Sequence, residues 1–243
     1  MISRRTIKIT LAHLVPQSLY VYINARIAAR DIATKRRWVP ELEELPKFVR
    51  PGDSVLDIGA NHGLYSYHLS HLVGPSGTVH AFEPLPANIR ILRHTCKVHN
   101  LGNVILYALG CGDAAQRTEF SVRTDNGIPL FGCARQGGEG QTFVCEVVRL
   151  DDVIDTKISF MKIDVEEAEL FVLRGAERLL RESRPTIQFE AEGLTRDLGY
   201  EQQRVFDFLR TFGYAFFGGA SKGCALEPRE SFTAVGDYFA VAE

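Results

Sequence analysis

The sequence lacks three features that would place it in a special class: a large excess of charge of one sign, a paired-cysteine motif and a long apolar run. Its 243 residues carry a formal net charge of −2, whereas domains that bind nucleic acid are usually strongly basic, so no nucleic-acid partner is expected. The five cysteines include no C-x-x-C pair, and their odd number precludes a complete set of intrachain disulfides. We therefore expect reduced thiols and a cytoplasmic protein.

The first 40 residues depart from this average because they are strongly basic. They carry eight lysines and arginines against a single acid, Asp31. Their apolar stretch at 11–23 is interrupted by Pro16 and by polar residues, and it is too short and too polar to span a bilayer. We predict that residues 1–50 form a helical appendage to a main domain at 51–243. The alternative is a weak peripheral contact of this basic segment with an anionic membrane surface.

From Pro51 onward, strand-like and helix-like runs alternate, which predicts an α/β domain with a mostly parallel sheet and helices on both faces. The five predicted core strands lie at 54–58, 78–82, 103–109, 158–163 and 186–190. Two further strands, at 214–217 and 237–242, are predicted to form a hairpin pair at one sheet edge.

An insertion is predicted between the third and fourth core strands. Residues 117–122 and 141–149 alternate polar and apolar side chains, which indicates a strand pair. The intervening residues, 123–140, are rich in glycine and are predicted to form a loop. This loop is either a flap near the active site or a plain surface loop.

The stretch from Asp57 to Tyr65 is the most informative motif of the chain. It ends an apolar run and opens a helix-like pattern, so it predicts a strand, a tight turn and a helix. Gly59 and Gly63 allow the main chain to adopt positive φ or to approach a ligand closely. The N–H groups at the start of the helix favour an anionic ligand group, such as a carboxylate.

A second acid, Glu83, follows Gly63 by twenty residues and ends the next apolar run. A carboxylate at that point of a βαβ unit is placed to bind the hydroxyls of a ribose. A dinucleotide fold requires G-x-G-x-x-G, but Asn61 stands where the second glycine is needed. The pattern therefore favours S-adenosylmethionine, a nucleoside cofactor without phosphates, over NAD or FAD.

Four predicted strands end in an acid: Asp57, Glu83, Asp164 and Glu190. In parallel sheets the ligand lies across these carboxyl ends. Negative groups there would stabilise the sulfonium of S-adenosylmethionine, and one of them could deprotonate an acceptor hydroxyl. Glu166, just beyond Asp164, is a further candidate, although it could simply complement the dipole of the following helix.

No metal is assigned to this predicted site. The open alternative is Mg²⁺ held by carboxylate oxygens from Asp164, Glu190 and Glu192. His62, in the glycine-containing turn, is interpreted as a turn residue, with a role as the general base as its alternative.

At this point the chain resembles the FkbM-type S-adenosylmethionine-dependent methyltransferases. The resemblance covers about 52–192. It rests on Val55–Tyr65, Phe82–Asn88, Leu150–Asp152, Met161–Glu166, Val172–Ala176 and Phe189–Glu190. It implies a class I methyltransferase fold, a Rossmann-like seven-stranded, mostly parallel sheet whose last strand is reversed. It also implies O-methylation of a sugar or secondary-metabolite hydroxyl, so the expected partner is a small-molecule or glycan acceptor.

The resemblance also implies roles for individual residues. Gly59, Ala60, Asn61 and Gly63 would wrap the methionine part of the cofactor, Asp57 would lie near its amino group, Glu83 would hold the ribose and Leu109 would lie beside the adenine. Asp164, Glu166 and Glu190 would act on the acceptor. One departure is visible: the family usually has glycine where this chain has Glu167.

Two other classes of function remain as alternatives. One is an NAD(P)-dependent oxidoreductase, which the substitution at Asn61 disfavours. The other is a non-catalytic, methyltransferase-like binding module, which is disfavoured by the presence of four cofactor-contact residues: Asp57, Gly59, Gly63 and Glu83. The sequence defines neither the acceptor nor the oligomeric state.

Overall fold

A computed structural model describes residues 16–125, 128–136, 141–191, 194–195, 200–218, 226–232 and 235–243. Its main sheet has eight strands: β1 (Ser54–Ile58), β2 (Thr78–Phe82), β3 (Val104–Tyr107), β8 (Phe160–Ile163), β9 (Thr186–Ala191), β12 (Tyr214–Gly218), β13 (Glu227–Arg229) and β14 (Gly236–Ala242). A second, inserted sheet contains β4 (Gly110–Cys111), β5 (Gln116–Asp125), β6 (Ile128–Gln136) and β7 (Gln141–Val148). A small pair, β10 (Leu194–Thr195) and β11 (Tyr200–Glu201), completes the strands of the described residues.

The main sheet has the order β13-β12-β14-β9-β8-β1-β2-β3. Strands β3, β2, β1, β8 and β9 run parallel, and β14 is antiparallel to both of its neighbours. The predicted α/β architecture with a reversed last strand is confirmed. The expected number of strands was seven, and the difference is β13, a three-residue strand that pairs with β12 and covers the edge of the sheet.

The last two predicted strands do pair, but the prediction of a hairpin pair at the sheet edge is wrong. Strand β14 lies between β9 and β12. Its central residues, Tyr238 and Phe239, are buried on opposite faces, and an edge position would expose part of this apolar surface.

Eight α-helices are present among the described residues: α1 (Gln17–Ala33), α2 (Leu45–Phe48), α3 (Leu64–Val73), α4 (Pro86–Val98), α5 (Leu150–Val153), α6 (Glu169–Arg174), α7 (Glu177–Glu182) and α8 (Gln203–Arg210). A 3₁₀ turn, Pro40–Glu43, precedes α2. None of these helices combines the length and apolar character that a membrane crossing requires. Pro86 begins α4, where its missing N–H costs nothing.

Helices cover both faces of the main sheet. Leu56, Met161 and Ile187 contact a core that includes residues from α6, α7 and α8. Val55 and Phe160 point to the opposite face, where they contact residues from α2 and α3. Helix α1 packs on α4 through Val21, Ala25 and Ala28, whose small alanine side chains allow a close approach.

The inserted sheet has the order β4-β7-β5-β6. The predicted pairing of 117–122 with 141–149 is confirmed by β5 and β7. The prediction of a structureless loop at 123–140 is wrong in part, because 128–136 forms β6 and pairs with β5; residues 126–127 and 137–140 lie outside the described residues. The high glycine content of 123–140 indicated a loop. A strand is nevertheless possible there, because strands pair through main-chain hydrogen bonds and glycine has the same main-chain groups as other residues.

After Asp164, the helical spacing of apolar residues predicts one helix through Leu170, Leu173, Ala176 and Leu180. The structure divides it into α6 and α7 at Gly175 and Ala176. At Gly175 the chain crosses the base of the inserted sheet. A Cβ atom there would lie 1.9 Å from the carbonyl oxygen of Gly112. The break therefore allows the two main chains to touch, and only glycine fits at this contact.

Candidate active site

The turn after β1 is built by a glycine that touches the neighbouring strand end. Gly59 has φ +80°, and a Cβ on it would lie 1.8 Å from the carbonyl oxygen of Asp164. The amides of Gly59 and Ala60 donate to the carbonyl oxygen of Phe82 at 3.0 and 2.9 Å. The turn is thus held between the ends of β2 and β8, which brings three strand ends together.

Gly63 begins α3 with φ +90°. A Cβ there would lie 2.6 Å from Cδ1 of Leu92 on α4. Gly63 lines neither of the two cavities described below. Glycine at this position serves the packing of α3 against α4.

Glu83 is buried at the end of β2 and holds the same turn. Its Oε2 accepts a hydrogen bond from the amide of Asn61 at 2.8 Å, and its Oε1 accepts one from the amide of Leu85 at 2.9 Å. Burial raises the pKa of Glu83 to about 7, and these two amides limit the rise. The side chain of Asn88 also hydrogen-bonds to this carboxylate. A carboxylate has about four lone-pair sites, so Glu83 can still accept from a ligand.

Two cavities meet above the carboxyl ends of the strands. The larger, here called the large cleft, has a volume of about 870 Å³ and extends from Glu83 and Leu109 to the inserted sheet. The smaller, here called the polar pocket, has a volume of about 410 Å³ and includes Asp57 and Tyr65. The residues that line both cavities, here called the junction, are Gly59, Asn61, Asp164 and Glu190.

The floor of the polar pocket consists of two rows of polar residues on one face of the sheet. In the first row, Lys162 pairs in register with Asp57 on one side and with Gln188 on the other. In the second row, one step nearer the strand ends, Glu190 pairs with Asp237, and Asp164 follows Lys162 by two residues. Side chains two apart on a strand share a face, so all six residues point to this side.

Lys162 is 2% exposed and lies at the centre of this floor. Its Nζ is 2.9 Å from Oδ1 of Asp237 and 4.9 Å from the ring centre of Tyr65. Gln188 donates to the same Asp237 oxygen at 2.9 Å and to the hydroxyl of Tyr65 at 2.7 Å. Burial alone would lower the pKa of Lys162, but Asp237, Tyr65 and Asp164 raise it well above its usual value.

Asp57 is almost fully buried at the end of β1. Burial raises its pKa to about 6, whereas a hydrogen bond from the Ser66 hydroxyl and the charge of Lys162 act in the opposite direction. Asp57 thus has a fixed orientation, and its ionisation depends on nearby positive charge.

The polar pocket is covered by the segment between α1 and α2. Arg36 and Arg37 both donate their main-chain amides to the carbonyl oxygen of Asp31, at 2.8 and 3.0 Å. Nη1 of Arg37 lies 2.8 Å from Nδ1 of His62, at the turn after β1. Arg36, Arg37, Trp38 and Glu41 line the pocket, so residues before 51 form part of the site.

The loop after β8 contains two consecutive residues with left-handed backbone, Glu166 at φ +53° and Glu167 at φ +79°. Glu169, at the start of α6, is buried and accepts the amide of Glu167 at 3.2 Å. Burial raises the pKa of Glu169 to about 7. The side chain of Glu166 lines the large cleft, and that of Glu167 lines neither cavity.

The structure brings most of the residues singled out from the sequence to these two cavities. Glu83, Leu109 and Glu166 line the large cleft, Asp57 and Ala60 line the polar pocket, and Gly63 lies apart. Glu192 lies outside the described residues. Within the described ranges, no group of three or more histidine, cysteine or acidic side chains could hold a metal ion.

Lys162, Asp237 and Tyr65 were not selected from the sequence. Lys162 could have been selected from its spacing, because it lies two residues before Asp164 and side chains two apart share a face. Asp237 could be placed only once β14 was known to lie beside β9.

A comparison with known families identifies the family of the chain. The model of the methyltransferase FkbM domain matches residues 57–216, which is well over half of the chain. The matched range includes every residue of the pocket floor except Asp237. The chain belongs to the FkbM methyltransferase family. Glu167 has φ +79°, a backbone that glycine adopts without strain, and glycine is the residue that the resemblance implied at this position.

Individual relatives agree with this assignment. The chain is 33% identical to the 31-O-demethyl-FK506 methyltransferase FkbM of Streptomyces tacrolimicus, over 63% of this chain and 69% of that protein. The structure of an FkbM methyltransferase from Methylobacillus flagellatus KT has a TM-score of 0.51 and 17% identity. That match covers 96% of this chain, which spans only 57% of the other chain.

A second solved structure supports the fold. It is an S-adenosylmethionine-dependent O-methyltransferase from Thermotoga maritima, with a TM-score of 0.51 and 14% identity, and the match covers 88% of this chain and 71% of that one. The predicted class I methyltransferase fold is therefore confirmed.

Proposed function

We propose that this FkbM-family chain transfers a methyl group from S-adenosylmethionine to a hydroxyl of a small molecule, a sugar or a secondary metabolite. The observation that carries the proposal is the arrangement of the two cavities. Glu83, the candidate ribose ligand, lines one cavity and a buried acid, Asp57, lines the other, while Asp164 and Glu190 lie at the junction. An extended nucleoside with an amino-acid end fits such a pair of connected cavities.

The residues present suit each part of this cofactor. Leu109 and Phe82 give the large cleft apolar surface for an adenine ring. Oδ1 of Asn61, at the junction, is buried and accepts no hydrogen bond from the described residues, so an acceptor is available for a ligand donor there. Asp57 would bind the ammonium group, and Arg37 would bind the carboxylate.

The acceptor would reach the junction through the part of the large cleft that lies under the inserted sheet. Thr118, Phe120 and Phe171 line this part. When bound, S-adenosylmethionine supplies a methyl group on a sulfonium sulfur. Asp164 would hold the acceptor hydroxyl and take its proton, and Glu190 would keep the hydroxyl aligned.

The relative named 31-O-demethyl-FK506 methyltransferase supports a secondary-metabolite hydroxyl as the acceptor. That name supports transfer to oxygen. The large cleft, with its volume of about 870 Å³, suits an acceptor of the size of a sugar or larger. Residues 1–50 would act as an appendage whose last part, from Arg36 to Glu41, completes the cofactor site of the domain at 51–243.

Calorimetry with S-adenosylmethionine, S-adenosylhomocysteine and NADH tests the cofactor. We expect micromolar binding of the first two and no response to NADH; the converse would establish an oxidoreductase. Cells with and without the protein, fed a labelled methyl donor, would then be compared for methylated metabolites. Cofactor binding without any labelled product would favour a non-catalytic binding module.

A further inference from the structure

We propose that the ion pair of the buried Lys162 with the partly buried Asp237 sets the charge balance beside the junction and thereby fixes how strongly the site prefers the positively charged methyl donor over its neutral product. This inference rests on the proposed function. Lys162 would act through its charge on the acids around it, so it is a positioning residue.

The geometry makes Lys162 the central cation of an acidic floor. It stands in register beside Asp57, two residues before Asp164, which follows the end of β8, and 2.9 Å from Asp237. At 2% exposure it has little contact with water, so its charge is weakly screened and acts on neighbouring groups more strongly than a surface lysine would.

Charged groups face this lysine from every element that packs around it. The acids are Asp57 on β1, Asp164 after β8, Glu190 on β9, Asp237 on β14 and Glu41 on the 3₁₀ turn. Tyr65 on α3 adds a ring and a hydroxyl, and Arg36 and Arg37 lie in the covering segment. Five acids, three lysine or arginine side chains and the titratable His62 therefore line the polar pocket. Lys162 is the buried one of the three lysine and arginine side chains.

The chemistry gives this balance a consequence. During transfer, a bond forms between the methyl carbon and the acceptor oxygen, and the carbon–sulfur bond breaks with its electron pair going to sulfur. The hydroxyl proton goes to a carboxylate of the site. The sulfur thus changes from a cation to a neutral thioether, while the rest of the cofactor is unchanged. Any fixed charge near the junction changes the affinities for donor and product by different factors.

The ratio of two dissociation constants isolates this effect. S-adenosylmethionine and S-adenosylhomocysteine are titrated at pH 8 and low salt, where carboxyls with pKa values of about 6 and 7 are ionised. Lys162→Met leaves the floor with more net negative charge, which favours a cationic ligand. We therefore expect the preference for the donor to rise about five-fold or more. Asp237→Asn leaves it less acidic, so we expect that preference to fall by a similar factor.

Two control variants separate the effect of charge from loss of stability. Loss of Lys162 alone leaves the partly buried Asp237 without its partner and is expected to destabilise the fold. The double variant, Lys162→Met with Asp237→Asn, removes a neutral pair, so its ratio should return to within about two-fold of the unmodified protein. Lys97→Met removes an exposed lysine that lines neither cavity and should leave the ratio unchanged.

The outcomes are distinct. Opposite changes in the two single variants support the inference. Equal weakening of both ligands in every variant, with a constant ratio, would overturn it and would assign the pair a purely structural role. If neither ligand binds the unmodified protein, the proposed function itself fails, and the inference fails with it.

Discussion

The main-chain amide of Asn61 donates a 2.8 Å hydrogen bond to Oε2 of Glu83. This contact joins the turn after β1 to the end of β2, across 22 residues of sequence. Glu83 is therefore both a candidate ribose ligand and the anchor of the turn that forms the junction. A substitution at Glu83 changes two properties together, and they have to be measured separately.

Glu83→Gln keeps the shape of the side chain but replaces one acceptor oxygen by a donor, which would face a main-chain amide. We expect affinity for S-adenosylmethionine to fall by at least ten-fold and the free energy of unfolding to fall by about 1–3 kcal/mol, because a buried hydrogen bond is lost. Calorimetry and urea titration measure the two effects. A variant that is destabilised but binds normally would remove Glu83 from the ribose role.

Asp164→Asn tests the chemical step. The change keeps the size of the side chain and removes its charge, so turnover of an identified acceptor should fall by roughly 10²–10⁴, the usual effect of a positioned acid or base. Glu190→Gln should show a smaller fall. Calorimetry should find cofactor affinity much less affected. Abolished cofactor binding would instead place Asp164 in the cofactor site.

Arg37→Met tests the covering segment. The carboxylate that Arg37 would bind is common to S-adenosylmethionine and S-adenosylhomocysteine, so both should bind about ten-fold more weakly, with an unchanged ratio. Arg30→Met, a change on the exposed surface of α1, is the matched control and should alter neither constant. Normal binding by the Arg37 variant would argue against this carboxylate site.

Glu167 occupies a left-handed position at φ +79°. Glu167→Gly and Glu167→Ala remove the same side chain beyond Cβ, but only glycine adopts this backbone without strain. The glycine variant should be more stable than the alanine variant by about 1–2 kcal/mol. Equal midpoints in urea would show that the loop relaxes when the glutamate is removed.

Glu169→Gln tests the pH dependence of stability. Because the pKa of Glu169 is raised to about 7 in the folded protein, from about 4.5, the folded state holds a proton that the unfolded chain releases. This stabilising contribution is complete below pH 4.5 and is lost as the pH rises through 7. The neutral amide should therefore raise stability at pH 8 by roughly 1–3 kcal/mol and change it little at pH 5. Thermal denaturation at both pH values measures this difference, and equal effects would contradict it.

The sequence was sufficient to predict the strand ends. An apolar run that stops at an acid, as at Asp57, Glu83 and Asp164, locates a strand and its carboxyl end without knowledge of the neighbours. Which side chains meet on a face of the sheet depends on the order and register of the strands. The pairing of Lys162 with Asp237 therefore could not be predicted from the sequence around either residue.

Long-range order was the other limit of prediction. The position of β14 between β9 and β12 depends on burial on both of its faces, which no local pattern reveals. Likewise, the break at Gly175 follows from its contact with Gly112, 63 positions earlier in the chain. Glycine at 175 was read as part of a helix because its neighbours have helical spacing.

The contact between Gly112 and Gly175 also has a consequence for engineering acceptor specificity. The inserted sheet begins and ends beside this crossing, since the amide of Gly112 donates to the carbonyl oxygen of Val148 at 3.0 Å. We expect that residues 113–147 can be exchanged between relatives only if the clearance at both glycines is kept. A Cβ atom at 175 would lie 1.9 Å from the carbonyl oxygen of Gly112, and a Cβ atom at 112 would lie 2.9 Å from Cγ1 of Val147. A graft therefore needs glycine at 175 and, at 147, a side chain that fits against residue 112.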